Sequence, residues 1–182
     1  LDEEGEVKLT WKRFDELKYH LIWQTALYAV FMGVMLFIMG LLSKNSAAWD
    51  IAATSLASSA YAVFALPKSV ASEPKRMFLA YVIATAVGLL LHFALGYFIV
   101  ALSDHFRFLD PHFFWVVAGI TAPLSMVLMI LFGAQHPPAV GIALSMVIDV
   151  HTGMGFLGIW ISFLILMAFR LGFAKRLRDL VE

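Results

Sequence analysis

The chain has 182 residues, of which 62% are hydrophobic and only 14% charged, with a mean hydropathy of +0.85. Soluble domains run at about 45–50% apolar and 25% charged residues, so this is the composition of an integral membrane protein whose first partner is the lipid bilayer. Lysine plus arginine balances aspartate plus glutamate at 13 each, giving no basic excess for a nucleic-acid partner. The lack of cysteine excludes disulfides, Cys-ligated zinc and thiol chemistry.

No signal-peptide pattern is present, and a start at Leu1 rather than Met leaves room for an upstream targeting segment. From Thr10 to His20, Trp11, Phe14 and Leu17, continued by Leu21, recur at helical spacing among Lys8, Lys12, Arg13, Asp15, Glu16 and Lys18. That pattern suits a helix lying in the headgroup layer, with a solvated leader as the alternative. Residues 1–20 are thus an N-terminal interfacial segment, 21–174 the transmembrane domain and 175–182 a basic cytoplasmic tail.

Segment 1, about Leu21 to Leu42, is long enough to span, and Gly33 and Gly40 share a face where another helix could approach. Segment 2, about Ile51 to Leu66, is short and rich in small polar residues: Thr54, Ser55, Ser58 and Ser59. Pro67 closes it, and the next loop carries Lys68, Lys75 and Arg76 against one Glu73. Segment 3, Met77 to about Leu102, repeats Ala80, Ala84, Gly88, His92 and Gly96 every four residues, a small-residue packing face. His92 on that stripe is expected to face protein and bond a neighbour, with a pore-lining role as the alternative.

Asp104, His105, Arg107, Asp110 and Pro111 form a polar loop before segment 4, about His112 to Phe132, which opens on Phe113, Phe114 and Trp115 as membrane-interface helices do. Thr121 and Ser125 flank Pro123, which should kink it. Then comes Gly133-Ala134-Gln135-His136-Pro137-Pro138. Prolines cannot continue a helix but suit its first turn, where the missing N–H has no intrahelical partner. Segment 5 therefore runs from Ala139 to about Val150, roughly 18–20 Å, too short for a bilayer core of about 30 Å. Its start is expected below the membrane surface. Asp149 and His151 sit in the turn before segment 6, about Gly153 to Phe173, which ends in Arg170, Lys175, Arg176 and Arg178.

With the N-terminus inside, the positive-inside rule puts Lys68, Lys75 and Arg76 in the cytoplasm and returns the basic tail there as well. The fold expected is an all-α integral membrane protein of six segments. These divide into two inverted three-helix repeats with short second and fifth helices, the pattern that marks a transport site.

At Gly133-Ala134 and His136-Pro137-Pro138-Ala139 the sequence resembles the HPP family of integral membrane proteins. Ser55-Leu56-Ala57-Ser58-Ser59-Ala60, Phe64-Ala65-Leu66-Pro67 and Glu73-Pro74-Lys75-Arg76 extend the resemblance, so that it frames about residues 50–150. It departs where the family often shows Gly-Gly-His, which corresponds here to Leu79-Ala80-Tyr81. Plant members resemble chloroplast-envelope nitrite transporters, and the resemblance implies transport of a small inorganic anion in a prokaryotic inner membrane or an organellar inner envelope, with a homo-oligomer expected.

The residues themselves favour an anion. A helix N-terminus carries about half a positive charge and free N–H groups. The start of segment 5 would offer these beside Gln135, His136, Pro137, Pro138 and Ala139, facing the hydroxyls of Ser55, Ser58 and Ser59. Lys68, Lys75 and Arg76 would form an electrostatic mouth, and His136, with an ordinary pKa of about 6.5, could add charge as pH falls. The bland alternative is a tight structural turn with packed serines. No HxxxH or HExxH spacing occurs, so no metal, cofactor or catalytic residue is expected. An intramembrane enzyme and a non-transporting assembly or sensor subunit remain the rival classes.

Overall fold

The computed structural model describes residues 11–42, 47–103, 111–148 and 153–180. These form six α-helices: α1 Trp11–Leu42, α2 Ala47–Ala65, α3 Pro74–Ser103, α4 Pro111–Leu131, α5 Ala139–Ile148 and α6 Gly153–Phe173, with a short 3-10 turn at Val70–Ser72 and no strand among the described residues. Three are long and apolar enough to cross a membrane, over Lys18–Ile38, Pro74–Ala94 and Gly155–Phe173. Segment 2 becomes a 19-residue helix whose serines and threonine lower its hydropathy, and α5 has only 10 residues.

Two boundaries differ from expectation. Residues 11–42 form one unbroken helix, so the stretch to His20 is continuous with segment 1. Helix α3 begins at Pro74 because proline is at home at a first helical position. The polar loop at 104–110 and Asp149 with His151 lie outside the described residues.

Helix α5 sits at the centre, packed against α2, α3 and α4, while α1 and α6 pack on each other and on α2. The small-residue stripe of α3 explains how closely α5 approaches. Ala80 and Ala84 are fully buried, and a Cβ on Gly88 would collide with Ala143 O and the Met146 side chain. His92 Nδ1 donates to Val147 O at 2.8 Å, so this histidine bonds a packed neighbour. Gly33 and Gly40 have nothing nearby and face away from the bundle.

One end of the bundle is tied together by polar contacts. Arg170 of α6 donates to the carbonyls of Pro67 and Ser72. Leu180 N–H bonds Ala65 O at 2.9 Å, and Lys68 N–H bonds Asp179 Oδ1 at 3.0 Å. Buried Gln24 of α1 grips the backbone of Arg178 from both sides of its amide, accepting at 3.1 Å and donating at 2.9 Å. Exposed Lys68, Lys75, Lys175, Arg176 and Arg178 gather here, which makes it the basic end.

Candidate functional site

The His-Pro-Pro stretch owes its shape to the residues on either side. Gly133, at φ +63°, is the left-handed residue that stops α4, with Gly133 N–H on Ile130 O at 3.1 Å and Ala134 N–H on Met129 O at 2.7 Å. These two bonds make a Schellman cap, and glycine takes its backbone conformation without a Cβ penalty. Arg76, paired with Glu73 at 2.6 Å, donates to Gly133 O at 3.2 Å and Gln135 Oε1 at 3.3 Å, pinning the turn to the start of α3. The chain then dips. Gly133 is level with Arg76, whereas His136 contacts Tyr81, five residues or roughly 7.5 Å further along α3.

His136 is fully buried and both ring nitrogens are engaged. Nδ1 lies 2.6 Å from Ala71 O, which can only accept, so Nδ1 carries a proton. Nε2 lies 2.9 Å from Ser59 Oγ, which is 2.8 Å from Tyr81 Oη and 3.0 Å from Ser55 O. A neutral ring closes the chain: Tyr81 O–H donates to Ser59 Oγ, and Ser59 O–H donates to Nε2. A charged ring would also find partners, with Ser59 O–H turning to Ser55 O, but burying that charge without a counter-ion is costly. The ring thus joins the α2–α3 connection, α2 and α3 to the start of α5.

Beside this node lies a groove of about 430 Å³ between α2 and the start of α5, lined by Asp50, Thr54, Ser55, Ser58, Pro137 and Pro138, among others. Gly141 forms part of its floor, where a Cβ would collide with Ser55 Oγ. A second cavity of about 510 Å³ is apolar and is lined by Pro123, Met129 and Val140 together with three of the expected site residues, Gln135, His136 and Pro137.

The transmembrane region of the HPP family matches residues 17–180. The chain belongs to this family. No curated protein and no solved structure matches it.

Gly133 and Ala134 thus stop α4, and His136-Pro137-Pro138 leads into α5. The expected residues divide into two groups. His136 and Ser59 meet in the buried node, and Ala139 is buried behind it. Ser55, Ser58, Pro137 and Pro138 line the groove, while Gln135 is exposed and held by Arg76. Lys68 and Lys75 are exposed at the basic end, but Arg76 is occupied by Glu73 and the turn.

One expectation needs correcting. Ala139, Val140 and Gly141 N–H groups bond the carbonyls of His136, Pro137 and Pro138 at 3.0, 3.1 and 3.2 Å. The two prolines have no N–H, so the first turn of α5 keeps its dipole but has committed its donors. Sequence reasoning also missed Tyr81, Ala71, Arg170 and Gln24. Tyr81 falls in Leu79-Ala80-Tyr81, the stretch at which the sequence departs from the resemblance, and that departure was its only signal. Ala71 acts through a backbone carbonyl, which leaves none.

Proposed function

We propose that this HPP protein is a membrane transport protein, channel or transporter, for a small monovalent anion, with nitrite the leading candidate. The observation that carries the reading is the hydroxyl-lined groove, in which Thr54, Ser55 and Ser58 of α2 face Pro137 and Pro138 at the dipped start of α5. Thr54 and Ser55 donate to Asp50 O and Ile51 O at 2.7 and 2.9 Å, which leaves the Ser58 hydroxyl to donate to an anion without a fixed positive charge to trap it, and the α5 dipole adds a positive end. Exposed Lys68 and Lys75 raise local anion concentration at the basic end. In this reading six segments cross in two inverted repeats, both termini are cytoplasmic, and the protein works as a homo-oligomer without catalytic chemistry. Nitrite rests on the family resemblance; the preference for an anion rests on the groove.

A second reading, a non-transporting assembly or sensor subunit, is favoured by the committed donors of α5 and the saturated His136 ring. Proteoliposome flux separates the two. Purified protein should carry nitrite, compared with nitrate, formate and chloride, above protein-free vesicles at a pH where little neutral nitrous acid leaks across. Absence of flux for all four would leave the assembly reading.

A further inference from the structure

We propose that an anionic phospholipid binds in the groove between α1 and α2 at the basic end, with an acyl chain along the groove and its phosphate among Lys18, Lys68 and Arg178. The groove, of about 380 Å³, is lined by Leu21, Thr25, Tyr28, Tyr61, Phe64 and Leu180, among others. Lys18, Leu21, Thr25 and Tyr28 follow one another at spacings of three, four and three residues, so they share one face of α1. From Lys18 to Tyr28 the helix advances about 15 Å, the depth of one leaflet in a bilayer core about 30 Å thick. The apolar span of α1, Lys18–Ile38, begins at this same lysine. The groove therefore descends from the edge of the span into the acyl layer.

At that depth an apolar wall is covered by lipid rather than water, and exposed Ile22 and Val30 on α1 have the same character. The charges at the mouth decide which lipid. Gln24, in the groove wall, holds the backbone of Arg178 at 2.9 and 3.1 Å, which fixes Arg178 at the rim. Leu180 N–H bonds Ala65 O, both wall residues, and the adjoining Asp179 accepts from Lys68 N–H at 3.0 Å, so Lys68 stands at the rim as well. Lys18 lies one turn beyond Leu21. All three cations are exposed. Asp179 is the acidic group that the described tail sets against them, and its Oδ1 is already engaged. Three cationic side chains with apolar stems, against one carboxylate, suit a phosphate head group at the surface above a buried chain. Free phosphate would meet the same charges but leave Tyr28 and Phe64 uncovered. The bound lipid joins α1, α2 and the closing segment, and its site is independent of the transport function proposed above.

The test is native mass spectrometry of the purified protein in detergent with equal amounts of phosphatidylglycerol and phosphatidylcholine carrying the same chains. The parent should retain phosphatidylglycerol in preference by about tenfold, since each cation near a lipid surface attracts anionic head groups. Lys18→Gln/Arg178→Gln should bring the two lipids to near parity, and it leaves the Gln24 bonds to the Arg178 backbone in place. Lys75→Gln, on α3, which does not line the groove, should keep the parent's preference. In the parent, hydrogen exchange at the amides of Arg178 and Leu180 should slow with phosphatidylglycerol and not with phosphatidylcholine. Equal retention of the two lipids by the parent overturns the proposal. So does an equal loss of preference in Lys75→Gln, which would assign binding to the overall charge of that end. Slowing of the same amides by inorganic phosphate alone overturns the lipid as occupant.

Discussion

The imidazole of His136 joins Ala71 O to Ser59 Oγ, and its replacement by Ala would strand both inside the bundle. Each stranded buried group costs about 1–3 kcal/mol, before any cavity is counted. Tyr81→Phe removes one donor to Ser59 but keeps the ring stacked on Phe163 at 3.9 Å, so its cost should be nearer 1 kcal/mol. Thermal unfolding in detergent should therefore rank parent, Tyr81→Phe and His136→Ala in falling order; equal losses would mean that the ring does not hold the node. The two serines should also separate. Ser59→Ala breaks the buried chain and lowers stability, whereas Ser58→Ala, at the exposed groove, should leave unfolding unchanged and lower flux. His136 was legible because a proline pair fixes its backbone and Ser59 because it stands in an apolar helix. Their direct bond was not legible, since 77 positions separate them.

Elements pack through glycine at Gly88 and Gly141 and through arginine at Arg170. Gly88→Ala would drive a methyl group into Ala143 O and Met146, an overpacking that costs about 1–3 kcal/mol. Gly33→Ala meets open space, so it should be neutral or gain up to about 1 kcal/mol from helix propensity. If Gly88→Ala melts like Gly33→Ala, α3 and α5 do not meet as described. Arg170 clamps the α2–α3 connection through the carbonyls of Pro67 and Ser72. Lysine has one compact ammonium in place of a planar fork, so Arg170→Lys should speed hydrogen exchange across residues 66–73. Unchanged exchange there would mean that Ser72 and His136 suffice to hold the loop. The small-residue stripe gave α3 its packing face in advance because its four-residue spacing is a property of sequence alone. Arg170 was visible only as a basic end, because its acceptors are backbone carbonyls far away in the chain.

Across the whole molecule, the short apolar run after Pro138 and the basic clusters were enough to place a half-length helix and one basic end. The closing segment was less legible: Leu177 is buried, and Gln24 and Ala65 hold the backbone of Arg178 and Leu180. Such anchoring by main-chain groups has no composition signal, so a basic tail was all that could be read. The resulting architecture leaves a hydroxyl-lined groove beside a rigid, hydrogen-bonded turn, and anion transport along that groove is the central claim. The most direct measurement is nitrite flux into proteoliposomes containing parent or Ser58→Ala protein at equal density, beside protein-free vesicles. The account predicts flux above the protein-free rate for the parent and a lower rate for Ser58→Ala of unchanged stability. A parent rate equal to that of protein-free vesicles would contradict it.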